Sequence, residues 1–361
     1  MSHHKHHRHR HDSKAKKITI YILMAINILL AICMIVSSFS GTLQPQNNPK
    51  LSVLPLIFTY LAVANILFAI AWLFIRKKYA LISVAALLIC ITDIRATFPI
   101  NIPSNAPQGS IKVMTFNIAN NNKSKTPEFV EYINKINPDI LCLQECNTHN
   151  QLMEDTIIKQ LYPYITYNDT RVSTIALFSK FPIVKNENIE YESKGNSSSA
   201  YNIVINGDTA LIINNHLQSY LFAKNEIDEY KSITGKTTSL SDREKGTKDV
   251  VSKIIAANKQ RGPQVEAVCN YMEKNFRRYT IVMGDFNEPP TSYAHYMLTK
   301  KLKDTFTRAG NGFGFTYSRN KIHYRIDNIL CSKDIIPYET EVDKSCQLSD
   351  HYPVICYLKL E

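Results

Sequence analysis

The sequence predicts an α/β domain built on mixed β-sheets, carried behind an apolar helical N-terminus. Three observations lead there. The 361 residues are unevenly composed, the first hundred being far more apolar than the rest, so the chain divides into two regions. Beyond residue 110, short runs rich in β-formers alternate with stretches of helical periodicity. Strand-like runs are many and Gly-rich crossovers few, which favours a mixed sheet over a doubly wound one.

Taken in order, residues 1–17 carry His3, His4, His6, His7, His9 and His11 among Lys and Arg. No core can form from these, and a disordered, solvated cationic tail is expected. The tail also holds Lys5, Arg8, Arg10, Lys14, Lys16 and Lys17, so the net charge of +11 says little about the substrate.

Residues 18–39 are uncharged and long enough to cross a bilayer as a helix. Residues 51–75 repeat the pattern, with Trp72 expected as an interfacial aromatic and Arg76-Lys77-Lys78 as the stop. A third run, 79–96, is shorter and closes on Asp93 and Arg95. Basic residues before the first run and after the second set the N-terminus inside, and three spans then put everything after residue 96 outside the membrane. If the third run is only interfacial, the rest of the chain is cytoplasmic. Residues 97–110, with Pro99, Pro103, Pro107 and Gly109, form a stiff linker.

From 111 to 361 the patterns give strands near 111–116, 139–144, 174–179, 200–205, 209–215, 279–284, 326–331 and 353–358. Helices are expected near 126–136, 148–160, 220–231 and 247–275, the last broken or kinked at Gly262-Pro263. The polar stretch 231–248 reads as a loop. Cys142, Cys331 and Cys356 sit inside strand-like runs, and none of the eight cysteines has metal-site spacing.

The strand ends carry the chemistry. Thr280-Ile-Val-Met283 is an apolar run that Gly284 turns and Pro289-Pro290 terminates, leaving Asp285 and Asn287 at the mouth of a sheet. Two residues apart in an extended segment, their side chains are expected on one side, where carboxylate and amide could converge on a phosphate or a water. Other runs end alike: Ile111 to Phe116 in Asn117, Ile140 to Gln144 in Glu145, Leu211 to Asn215 in His216. Asp327 interrupts the run Ile326 to Leu330, and Asp350-His351 precedes the final strand.

These blocks, in this order, resemble the endonuclease/exonuclease/phosphatase superfamily, the deoxyribonuclease-I-like fold, over roughly residues 110–361. The resemblance implies a four-layer α/β sandwich of two packed mixed β-sheets and divalent-metal phosphoester hydrolysis at one edge. It implies that Glu145 binds the metal with Asn117 beside it and Asp350 adding a contact, and that the ion is Mg²⁺, with Mn²⁺ as a substitute. Asp285 and Asn287 match the pair that orients water and phosphate oxygens. His351 matches the histidine at the phosphate, with Asp327 fixing its tautomer, and His216 the second histidine of the nuclease-like and sphingomyelinase-like branches. The chain departs from the family in lacking the glycine usual before Thr174-Ile-Ala-Leu-Phe178 and in having Asn328 where an aromatic is common.

His149, His295 and His323 match no motif and read as surface or core residues. Lys248, Lys253, Lys259 and Arg261 follow a helical face and read as solvated. The expected protein is a membrane-anchored Mg²⁺-dependent phosphoesterase whose partners are the bilayer and a phosphoester, whether lipid, nucleic acid or small molecule. No protein partner is implied. The alternative is a catalytically inactive phosphate-binding module on a membrane stalk; a channel is disfavoured because no acid or base lies mid-span.

Overall fold

The structure is a computed structural model, and it describes residues 2–119, 126–146, 149–170, 173–193, 195–220, 240–319 and 322–361. The helix expected near 220–231 lies outside the described residues save for Tyr220, as do the first half of the loop expected at 231–248 and the missing-glycine position before Ser173; the second half of that loop, 240–248, is instead helical, the first turns of Leu240–Lys274.

Two six-stranded sheets form the C-terminal region. The first contains β1 (Ile111–Asn117), β2 (Ile140–Gln144), β3 (Tyr164–Thr170), β4 (Ser173–Ser179), β13 (Ile335–Val342) and β14 (Val354–Leu360), in the order β13-β14-β1-β2-β4-β3. The second contains β5 (Ile183–Asn188), β6 (Ser197–Ile205), β7 (Asp208–His216), β8 (Thr280–Asp285), β9 (Lys303–Asp304) and β12 (Asp327–Cys331), in the order β5-β6-β7-β8-β12-β9. A hairpin of β10 (Tyr317–Arg319) and β11 (Ile322–Tyr324) stands apart. Val113, Cys142, Leu177, Ile203, Ile212, Met283, Ile329 and Cys356 interlock between the sheets.

Helices close both outer faces. Phe129, Val130 and Ile133 of α5 (Thr126–Ile136), Leu152 of α6 (His149–Glu154) and Ile158 of α7 (Thr156–Leu161) cover the first sheet. Val265, Val268 and Met272 of α8 (Leu240–Lys274) and Leu298 of α9 (Tyr293–Thr299) cover the second. The one helix expected at 148–160 is two, because the Asp155 carboxylate caps Ile157 and Ile158 and restarts the chain. Conversely, α8 runs through Gly262-Pro263 without ending, and Gly262 lets the side chain of Gln46 approach to 2.5 Å of where a Cβ would stand.

Each sheet is antiparallel except for one parallel pair. β1 and β2 are joined across α5, and β7 and β8 across the segment that includes α8. Parallel neighbours require such a crossover, and both strands of a pair then end at the same edge. The two parallel pairs thus deliver Asn117, Glu145, His216 and Asp285 to strand ends.

The N-terminal region is helical: α1 (Ser2–Ser40), a 3-10 turn at Leu51–Ile57, α2 (Phe58–Ile75), α3 (Ala80–Ile89) and α4 (Ile91–Thr97). Residues expected as a disordered tail are helical from Ser2, with no Gly or Pro before Gly41 to stop propagation from the apolar stretch. Lys14–Ser40 and Leu51–Ile75 are long and apolar enough to cross a membrane, whereas the third run is bent by 69° between α3 and α4. The bend turns Arg95 to solvent and brings Asp93 to the Ser38 hydroxyl, so the charges need not extend the span. Trp72 is not an interfacial anchor either; it is buried, donating 2.9 Å to Asn27 Oδ1 while Asn27 Nδ2 donates 2.7 Å to Ser83 Oγ. One amide thereby ties α1, α2 and α3 together, the kind of polar contact that holds helices where hydrophobicity cannot. Leu29, Leu67, Phe74, Leu81 and Leu88 point outward and exposed.

This region docks on the sandwich. Ser52 accepts from Asn258 at 2.9 Å, Pro55 O accepts the Thr291 hydroxyl at 3.1 Å, and Ala96 O accepts from Arg325 at 2.6 Å. Gly41 lies so close that a Cβ would sit 1.9 Å from Thr291 O. All eight cysteines are unbridged.

Candidate active site

Strand register assembles one half of the site. His216 pairs with Asp285 across β7 and β8, and Asp285 pairs with Asp327 across β8 and β12, so three polar side chains stand in a row on adjacent strands. Gly284, at φ +131°, makes this possible, because a Cβ there would lie 2.0 Å from Asn215 O.

The first sheet supplies the other half. Asn117 Nδ2 donates 3.1 Å to Glu145 Oε1 and 3.0 Å to Asp285 Oδ2, bridging the sheets. His216 Nε2 lies 3.5 Å from the same Glu145 oxygen. His351 Nδ1 lies 2.9 Å from Asp327 Oδ2, which puts a proton on Nδ1, and its Nε2 faces Asp285 Oδ2 at 3.9 Å. Asp350 stands beside Ser349, whose hydroxyl donates 2.8 Å to Asn117 O. The structure therefore brings Asn117, Glu145, His216, Asp285, Asp327 and His351 together, with Asp350 at the rim.

Asn287 joins the site differently from the expectation. The chain is not extended there: Asn287 has φ +54°, its N–H donates 2.8 Å to Asp285 Oδ1, and its Nδ2 donates 2.9 Å to Leu217 O. The carboxylate closes an Asx turn that pulls the backbone out of the strand. Ala119 and Glu145 share the left-handed conformation, at φ +49° and +52°. Such conformations cost of order 1–3 kcal/mol each and concentrate at functional sites.

Burial sets the charge states. Asp285 is pushed up to about 7, first by desolvation and then by the Asp327 charge, against the pull of His351, Asn117 and the Asn287 N–H. For His351 desolvation acts downward, but Asp327 and Asp285 outweigh it and raise the imidazole to about 10. His216 is lowered by burial, only partly offset by Glu145. One imidazolium and one neutral imidazole thus flank the carboxylates.

The donor set fits a hard divalent cation. Asp327 Oδ1 is buried with no hydrogen-bond partner. Ligand atoms of Asp285, Asp327 and His351 lie within 4.8 Å of one another, the protonated imidazole itself offering no lone pair, and Glu145, 29% exposed, stands beyond the Asn117 bridge. Carboxylate oxygens of this kind suit a cation that keeps part of its water shell, while Asn117 turns its Nδ2 toward them and its Oδ1 to the Ala119 N–H.

Arg261, read from sequence as solvated, is 1% exposed. Its guanidinium donates 2.8 and 2.5 Å to Gln218 O, 2.8 Å to Asn258 Oδ1 and 2.7 Å to Glu288 Oε1. It thereby braces the chain just after His216 and just after Asn287. A lone Arg on a helical face gave no signal of this; Glu288, placed after Asn287 before two prolines, was the available hint. Asn328, where an aromatic was expected, accepts 2.8 Å from Arg325, which also pairs with Asp304 at 3.0 Å; His295 meets the same carboxylate at 3.1 Å. His323 is exposed and stacks on Phe315, while the His149 side chain lies outside the described residues. A depression of about 280 Å³ lined by Tyr167, Asn168, Asn186, Asn188 and Ser199 contains none of the site residues.

The geometry agrees with known folds. The human Nocturnin catalytic domain with bound sulfate superposes with a TM-score of 0.52 at 18% identity, covering 71% of this chain and 97% of that one. Humanized D. rerio TDP2 gives 0.51 at 15% identity over 69% and 99%, and D. rerio TDP2 complexed with single-strand DNA product gives 0.51 at 14% over 70% and 100%. No curated protein matches the sequence. Residues 20–97 match a domain of unknown function, and residues 114–351 match the profile of the Endonuclease/Exonuclease/phosphatase family. The chain belongs to the endonuclease/exonuclease/phosphatase family and is a metal-dependent hydrolase of phosphoester bonds.

Proposed function

We propose that the protein is a membrane-anchored, Mg²⁺-dependent phosphoesterase whose catalytic domain faces away from the cytoplasm. The convergence of Glu145, Asn117, His216, Asp285, Asp327 and His351 on one strand edge carries this reading. Glu145, with Asn117 beside it, would hold the cation, with Asp350 at the rim. When bound, the cation supplies Lewis acidity at the phosphoryl oxygens. His351, protonated and held by Asp327, donates Nε2–H to a phosphoryl oxygen as charge grows there. Asp285 orients the attacking water and accepts its proton, helped by a basicity near neutral pH. Neutral His216 donates a hydrogen bond to the leaving oxygen. Asn287 holds Asp285 and Leu217 in place.

Anchoring is supported by two helices of membrane-spanning length and by outward-facing leucines. An outside domain is supported by the docking: residues 41–57 join α1 to α2 at the end opposite Arg76-Lys77-Lys78, and both they and α4 touch the sandwich. The bent α3–α4 pair would then cross as a third span.

Full-length protein in detergent, assayed with Mg²⁺ against phosphomonoesters, phosphodiesters, oligonucleotides and lipids, tests the reading. Turnover that chelation abolishes is expected. Full activity in His351→Ala would remove the basis of the mechanism.

A further inference from the structure

Resting on that reading, we infer that the substrate is a phosphoester carried by a membrane lipid, reached along an aromatic track running from the bilayer end of the helices to His351. The track starts where α4 ends. Phe98 meets Phe313 with ring centroids 4.7 Å apart, Phe313 stacks on Phe315 at 5.0 Å, and Phe315 stacks on His323 of the β10–β11 hairpin at 5.7 Å. Across that hairpin Tyr317 pairs with Tyr324, and the Tyr317 ring packs on His351 at 5.0 Å. Phe98, Phe313 and Phe315 are only partly covered, so the track is an accessible apolar surface.

Both of its ends are fixed. At the bilayer end Tyr324 donates its hydroxyl 3.2 Å to Leu56 O, and Asn101 donates 2.6 Å to Gly310 O. Ile100 and Ile102, on either side of that tether, are 81% and 94% exposed. Large aliphatic side chains so exposed beside a membrane helix belong in the leaflet surface. At the catalytic end the Thr316 hydroxyl accepts from Ile326 N at 3.0 Å and Asp327 N at 3.1 Å, while Thr316 O accepts from Tyr352 N at 2.6 Å. The strip between Phe313 and Tyr317 is therefore stitched to the segments bearing Asp327 and His351.

A second contact gives the same orientation. Thr291, four residues past Asn287 in sequence, holds Pro55 O, so the loop behind Asp285 also abuts the membrane end of the helices. Bases of a single strand also stack on exposed rings, and the oligonucleotide in the test below separates that case; a lipid is favoured because the track begins at Ile100 and Ile102, exposed aliphatic side chains that stacking bases would not require. The lipid's head group lies at His351 and its chains lead back to the bilayer. In the reaction the water oxygen bonds to phosphorus as Asp285 takes its proton, one ester P–O bond breaks, and the released oxygen takes a proton from solvent, to which Asp285 afterwards gives up its own.

The test uses full-length protein in nanodiscs with Mg²⁺, compared on dioleoyl phosphatidylglycerol and phosphatidylethanolamine in the disc, their dibutyryl analogues in solution, bis(p-nitrophenyl) phosphate, and a single-stranded oligonucleotide. At least one long-chain lipid is expected to turn over about tenfold or more faster than its short-chain analogue, since remote binding energy is available only to the former. The Ile100→Asp/Ile102→Asp variant, altered only at exposed positions, is expected to lose most of that preference. Equal rates for long and short chains, a preference that the double variant leaves intact, or fastest cleavage of the oligonucleotide would each overturn the inference. Cleavage of bis(p-nitrophenyl) phosphate without any lipid turnover would overturn it while leaving the phosphoesterase reading standing; no turnover of any compound would remove both.

Discussion

His216 and Asp285 face each other across the parallel ladder of β7 and β8, and Asp327 faces Asp285 from the other side. Three groups of the site thus owe their spacing to backbone register and not to long flexible side chains, a rigid way to place chemistry. Removing one of them should cost activity more than it costs fold.

His351→Ala and Asp285→Ala are each expected to lower kcat by at least about a hundredfold, the scale of a general acid-base or electrostatic contribution. Turnover and thermal unfolding measured on the same samples separate lost chemistry from lost fold.

Chelation is expected to abolish turnover, and added Mg²⁺ to restore it. Glu145→Gln keeps shape and removes charge, so the Mg²⁺ concentration giving half-maximal activity should rise by about tenfold or more. A metal titration of both proteins measures this, and an unchanged midpoint would place the cation elsewhere.

Arg261→Met should be strongly destabilising, by about 3–5 kcal/mol, because it leaves Glu288 charged and buried. Arg261→Met combined with Glu288→Met should recover part of that loss. Denaturant unfolding of the three proteins gives the comparison.

Asp304 predicts an acid response. Burial opposes its ionisation, yet the Arg325 charge and the His295 contact outweigh burial and hold the carboxyl well below its usual range. A depressed folded-state pKa stabilises above the unfolded value, about 3.9, and the contribution is lost as pH falls below it. Unfolding midpoints followed downward from pH 6 should drop more steeply for the native protein than for Asp304→Asn.

Topology is checked by fusing reporters after Glu361. One active only outside the cytoplasm should work, and one active only inside should be silent. The opposite pattern would mean two spans and a cytoplasmic enzyme.

Much of the site was legible because four of the strands that feed it are apolar runs stopped by a polar residue. Asn117, Glu145, His216 and Asp285 announce themselves that way, and in the structure they meet. Asn287 was misplaced because a left-handed residue leaves no trace in a polarity pattern, and the Asx turn that creates it depends on where the Asp285 carboxylate points. Arg261 was missed for a related reason: burial of a cation is decided by Gln218 and Glu288, remote in sequence. Strands β3, β5 and β13 went unseen because they are edge or near-edge strands with polar, partly exposed faces. The bend at Cys90 was hidden in an apolar run whose length suggested continuity.

That each sheet holds half of the site also bears on how the enzyme comes into being. Asn117 O and the Ser349 hydroxyl meet across 232 residues of chain, and the Asn117 bridge to Asp285 exists only once the sheets have packed. Contacts so distant in sequence form late. The site is therefore a product of tertiary packing: neither sheet alone holds a complete set of its groups, and β14 must lie beside β1 before the strand bearing Asn117 is fixed. β14 lies between β13 and β1 in the first sheet, so the strand that carries Asn117 has both of its neighbours only when β14 is in place.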